Sequence, residues 1–172
     1  MANASDNRYY IKVRTNQGVF PTNYADIVDS YNGVAILKMD GFLAKGKPVN
    51  IYTAQWIDSQ TEDFLIGKLD ANNDPVIIRE NVDIELTFIV SQRYVIGNST
   101  INVQNVHDTF VNALTSNDIW LKTSYMGNKQ AHCICLKEYK PTMVKLGRGN
   151  MSYIMGTIVL HTLDVTTTDV AL

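Results

Sequence analysis

From Asp83 to Val90 the chain alternates without a break: Ile84, Leu86, Phe88 and Val90 fall on one side, and Asp83, Glu85 and Thr87 on the other. Side chains alternate across a strand but not around a helix, so this apolar set is buried together only if the segment is a β-strand lying on a core. The same pattern recurs from Tyr9 to Arg14, with Tyr9, Ile11 and Val13 on one face and Tyr10, Lys12 and Arg14 on the other. Further short Val- and Ile-rich runs extend from Gly33 to Met39, Pro48 to Trp56, Phe64 to Ile66, Ile119 to Tyr125, Gln130 to Glu138 and Ser152 to Leu163. Turn formers separate them: Asp40-Gly41, Lys45-Gly46-Lys47-Pro48, Asp70 to Pro75, Gly97-Asn98-Ser99 and Met126-Gly127-Asn128-Lys129. The spacing predicts that Gly33–Met39 pairs with Pro48–Trp56 as a hairpin, and Ile119–Tyr125 with Gln130–Glu138 as another.

Helical periodicity is confined to two places. Tyr24, Ile27, Val28 and Tyr31 allow one short helical turn before Asn32-Gly33. Val106, Phe110, Ala113 and Leu114 form a longer stripe, with Asn105 as the N-cap, Asp108 in the first turn and an end near Ser116-Asn117-Asp118. The expected fold is therefore mainly β, a β-rich α+β arrangement: a β-sandwich or split barrel with one short helix at about 105–116 laid against it. One β-rich domain over 1–172 is expected, with 164–172 as a flexible C-terminal tail or an edge strand.

Composition narrows the function classes. Hydrophobic residues make up 45% and charged residues 19% of the 172, the balance of a globular chain that buries a core without disulfides or metal. Apolar runs such as Phe88-Ile89-Val90 are far too short for a membrane helix, and Met1 to Asp6 has no basic start or apolar stretch, so folding in a cytoplasm is expected. Lys and Arg number 15 against 17 Asp and Glu, so the net charge of −2 offers nucleic acid no broad attraction.

Candidate chemistry is sparse. His107, His132 and His161 lie on different elements without metal-ligand spacing, and His132 points opposite to Cys133 and Cys135 on one strand. The two cysteines share a face and read as small core residues; a bridge between them would be strained. Glu62/Asp63 and Asp83/Glu85 read as solvated charge, and Asp70–Asp74 lacks the spacing of a calcium loop. Lys145 to Asn150 holds glycines and cations but does not open a helix as a phosphate loop must. The Asn98-Ser99-Thr100 and Asn150-Met151-Ser152 triplets carry no weight without a secretion signal. No catalytic residue, metal ligand or cofactor site is expected.

The element order from Ile78 to Leu163 resembles the tail-structural proteins of tailed bacteriophages, of the tube and distal-tail type. The resemblance rests on the strand Asp83-Ile84-Glu85-Leu86-Thr87-Phe88, the helix from Val106 to Leu114, the hairpin around Asn128-Lys129, and Tyr153-Ile154-Met155-Gly156-Thr157-Ile158. It implies a non-enzymatic protein that forms homo-oligomeric rings, often hexamers, and contacts neighbouring tail proteins. DNA passes through as cargo, no membrane or small-molecule substrate is involved, and the protein resides in the virion tail after synthesis in the bacterial host cytoplasm. Segments Lys38–Lys47, Thr61–Pro75 and Lys140–Asn150 become interface candidates by their loop length. The competing expectation is a monomeric β-sandwich binding module for carbohydrate or peptide, with Tyr9, Tyr10, Tyr52, Trp56 or Trp120 on its recognition surface. An enzyme could draw only on His107, His161 and the cysteines.

Overall fold

A computed structural model describes residues 8–15, 18–42, 44, 51–55, 61–65, 81–124, 130–146 and 151–166, with backbone alone at 51–55, 61–65, 143–146, 151–152 and 164–166. In chain order the elements are β1 (Tyr9–Val13), β2 (Ala25–Asp26), α1 (Ile27–Ser30), β3 (Val34–Asp40), β4 (Ile51–Gln55), β5 (Thr61–Leu65), β6 (Asp83–Ser91), α2 (Val103–Thr115), β7 (Ile119–Thr123), β8 (Gln130–Cys135), β9 (Thr142–Leu146) and β10 (Met151–Thr166). The protein is mainly β, and its strands are antiparallel. The chain divides into two compact units, one of residues 1–42 with 83–172 and one of residues 43–82.

In the larger unit one sheet runs β2-β1-β7-β8-β10-β6-β3. Strand β10 is its spine. One edge of β10 carries β6, with Tyr153 to His161 opposite Ser91 to Asp83. The other edge is shared: β9 lies against Met151 to Met155, and β8 against Leu160 to Thr166. The sheet is a single open layer with α2 packed against it, the expected β-rich α+β arrangement.

The alternation in the sequence sets the inner face. Ile84, Leu86, Phe88 and Val90 of β6 are all buried, and they meet Ile11, Val34, Ile119, Leu121, Ala131, Cys133, Ile158 and Leu160 from the other strands. Helix α2 packs on β6, β8 and β10 and buries Phe110 and Leu114 there. Its cap is Asn102, whose side chain accepts from the Asn105 amide at 3.1 Å, so the helix starts ahead of the expected Asn105 and Asp108 lies beyond its first turn. Truncating this cap, Asn102→Ala, is expected to cost about 1 kcal/mol in denaturant unfolding.

The expected pairing of β3 with β4 is replaced: β3 pairs with β6, and β4 pairs with β5 in the smaller unit. Turn residues after β3 mark where the strand ends but not where its partner lies. The loop expected at 140–150 contains β9, since Thr142-Met-Val-Lys-Leu is a strand-forming run that the flanking Pro141 and Gly147 disguised. Strand β10 runs on to Thr166, into the expected tail; 167–172 lie outside the described residues.

One buried hydroxyl is unmatched. Thr123 is fully buried on β7, and its Oγ1 has no hydrogen-bond partner among the described residues. Replacing it by the near-isosteric Val removes that desolvation cost, so Thr123→Val is expected to raise stability by about 1 kcal/mol in urea unfolding.

Candidate interaction site

The strand path is not closed, and its two terminal strands, β2 and β3, face one cleft of about 480 Å³. Tyr9 and Asp26 line it from one end of the sheet, Val34, Ala35 and Ile36 from the other, and Tyr94 and Ile96 from the segment after β6. Local bonding explains the position of each wall. The Arg8 amide donates to Ser124 Oγ and the Ser124 amide to the Arg8 carbonyl, both at 3.0 Å, which anchors the start of β1 beside the end of β7. The Arg8 guanidinium then reaches Asp26 at 3.0 Å and Asp29 at 3.3 Å. Asp26 also caps α1, accepting from the Val28 amide at 2.9 Å. Gly33, at φ 99°, turns the chain into β3, a conformation L side chains resist.

The orientation of the β3 edge follows from one bond. The Ser91 amide donates to the Gly33 carbonyl at 3.0 Å, so Gly33 and Ala35 direct their peptide groups toward β6, whereas Val34 and Ile36 direct theirs away from it. The Val34 amide is satisfied by the Tyr31 carbonyl at 2.9 Å. Beyond Ile36 the strand bulges, and Lys38 pairs with Asp40, charges of the kind that guard a sheet edge. Val34 to Ile36 carry no such guard. Around them Leu37 and Ile96 stand 49% and 57% exposed.

The remaining polar groups form structural pairs. On the outer face of β1, β7 and β8, Asp118 accepts from Arg14 and from His132, each at 2.6 Å. Trp120 stacks on His132 with 4.7 Å between ring centroids, and Phe20 meets both rings edge-on. Burial pushes the Asp118 carboxyl up, but the His132 and Arg14 hydrogen bonds and the Arg14 charge outweigh it and leave the pKa below the ordinary value. A lowered folded-state pKa stabilises at pH above the ordinary carboxylate value, and the contribution is lost as pH falls through the folded one. Acid unfolding followed from pH 5 downward should therefore show a shallower loss for Asp118→Asn than for the parent.

Inside, His107 on α2 is buried, with Nε2 2.9 Å from the Tyr139 hydroxyl and Nδ1 2.8 Å from Asp108. Burial, and then the nearby Asp108 charge, push the Tyr139 phenol up to about 12, so it stays a neutral partner. His161 instead lies on the outer face, 3.0 Å from Asp83, which also takes Lys137 at 2.5 Å. Those two bonds, Lys137 foremost, hold the Asp83 carboxyl below its ordinary range. The three histidines thus sit in three separate clusters. Each found an acid, two of them acids distant in sequence, which spacing along the chain could not foretell.

Cys133 and Cys135 share the inner face as expected; both thiols are free, and burial pushes Cys133 up to about 12. Among the described residues no three of His, Cys, Asp and Glu gather to hold a metal ion, and no described helix is long and apolar enough to cross a membrane. Of the aromatics proposed for recognition, Trp120 is spent on His132, Tyr9 lines the cleft and Tyr10 lies on the outer face of β1. Trp56, 70–75, 147–150 and the side chains of Tyr52, Glu62 and Asp63 lie outside the described residues. Comparison with protein-family models and with curated proteins finds no match.

Proposed function

We propose that the chain is a non-enzymatic structural protein of a phage or prophage tail and works by homo-oligomeric ring assembly and by contacts with neighbouring tail proteins. The observation that carries this reading is the open sheet. Among the described residues no strand pairs with the outer edges of β2, β3 or β9. Unpaired edges are a hazard for a free monomer and a means of joining for an assembled one.

A second feature agrees. Strands β3 and β6 are hydrogen-bonded antiparallel neighbours, a pairing that two to five residues can connect. Here the connection runs from 41 to 82 and includes the β4–β5 hairpin, which is too small a sheet to be stable by itself. Long excursions of this kind are where binding surfaces reside. In a ring, DNA would pass as cargo, since a net charge of −2 gives no general grip on phosphate.

Sedimentation velocity over a concentration series tests the reading. Closed assembly is expected to give one species at a fixed multiple of 19.3 kDa that grows with concentration. A single 19.3 kDa species throughout would favour the monomeric binding module, with the cleft as its recognition site.

A further inference from the structure

We propose that the cleft docks a segment of another protein carrying a Lys or Arg beside apolar residues, with the basic head on Asp29 and the apolar parts on the walls. The inference goes beyond the assembly reading, because it concerns the cleft alone and holds for a monomer or a ring.

Size and lining give the class of occupant. Ligand sites are mostly apolar clefts of about 300–1,000 Å³ with a few placed polar groups, and this one is about 480 Å³. Val28, Val34, Ala35 and Ile36 supply apolar wall, and Tyr94 and Ile96, 37% and 57% exposed, stand on its open side.

Charge then selects a cation. The lining holds Asp26 and Asp29 against Arg8 alone. One nitrogen of Arg8, Nη1, donates to both carboxylates. The second oxygen of Asp26 is taken by the Val28 and Asp29 amides, whereas Asp29 Oδ1 has no partner among the described residues. An anion approaching Arg8 would face both carboxylates; a cation finds Asp29 Oδ1 open. Lys and Arg suit the lining because their alkyl stems lie along apolar surface while the charged head stays at the rim. Exposed Leu37 and Ile96 carry the apolar surface past the cleft, where a free amine could not cover them and a polypeptide segment can. Apolar contact supplies the affinity, and the charge supplies the selectivity.

Fluorescence polarisation with the full-length protein tests this, using a fluorophore-capped Leu-Lys-Leu amide and versions with norleucine or Glu in place of Lys. The Lys peptide is expected to bind about threefold tighter than the norleucine peptide, with the Glu peptide weakest. Asp29→Asn is expected to abolish that preference, and Ile96→Ser to weaken all three peptides. Arg8→Gln, which removes the competing cation, is expected to tighten the Lys peptide about threefold, a gain that a misfolded chain cannot produce. Equal binding of the Lys and norleucine peptides, or binding of none, overturns the proposal. A Lys preference that survives Asp29→Asn overturns the assignment to this cleft. Pentylamine that displaces the Lys peptide as well as unlabelled peptide does would make the occupant a free organic cation, and so overturns the proposal too. Sedimentation of the same samples reports assembly separately, so the two readings stand or fall independently.

Discussion

Phe88→Ala is expected to destabilise the larger unit by about 3–5 kcal/mol, a large share of the roughly 5–15 kcal/mol that holds a domain folded. The ring is fully buried and is the meeting point of three parts of the chain. Phe110 of α2 contacts it edge-on at 5.0 Å, Tyr139 stacks at 5.9 Å, and His107 lies at 6.3 Å. Truncation removes its own transfer energy and leaves a cavity that β6, tied to β10 and β3 on both edges, cannot collapse into. Urea unfolding followed by circular dichroism checks this. A loss below about 1 kcal/mol would mean that α2 does not rest on this strand. Phe88→Leu, which keeps most of the volume, should cost far less.

Gly156→Ala is expected to cost about 2–4 kcal/mol although it adds a single methyl group. Gly156 pairs with Phe88 in the sheet, and the Tyr139 ring lies directly over it, in the space a Cβ would fill. Tyr139 has little freedom to move, because its hydroxyl is bonded to His107 and its face lies on Phe88. The methyl group therefore either strains the strand, at about 1–3 kcal/mol, or expels the ring and leaves the buried His107 nitrogen without its partner. A double-mutant cycle tests whether Tyr139 is the cause of the cost. If the clash with Tyr139 is the cause, Gly156→Ala should cost little in a Tyr139→Ala background. An unchanged cost there would place the strain in the backbone instead.

These two residues also show how far the sequence could be read. Phe88 was legible because period-two alternation is a local property, and a strand with one apolar face has one way to bury it. The inward cysteines were legible for the same reason, and the α1 turn from the helical spacing of Tyr24, Ile27, Val28 and Tyr31. Gly156 was not: within the sequence it is one small residue in a strand, and its purpose depends on Tyr139, which reaches it only through tertiary packing. The pairing of β3 with β6 was hidden likewise, because a turn signal ends a strand without naming its neighbour, and 41–82 intervene.

The candidate interaction site was legible in outline only. Lys140–Asn150 was marked by its loop length, and β9 lies within it. The cleft was invisible beforehand, since it forms where the two ends of the sheet approach, and Tyr9, Asp26 and Val34 carry no common pattern along the chain. The acids that hold His132 and His161 are also long-range: Asp118 lies on the approach to β7 and Asp83 at the start of β6.

The central claim is that identical chains close into a ring through their open edges. Negative-stain electron microscopy of the purified, concentrated protein tests it most directly. The account predicts discrete closed rings of uniform diameter with a central opening; a field of single 19.3 kDa particles at the highest concentration, or open fibres without rings, would contradict it.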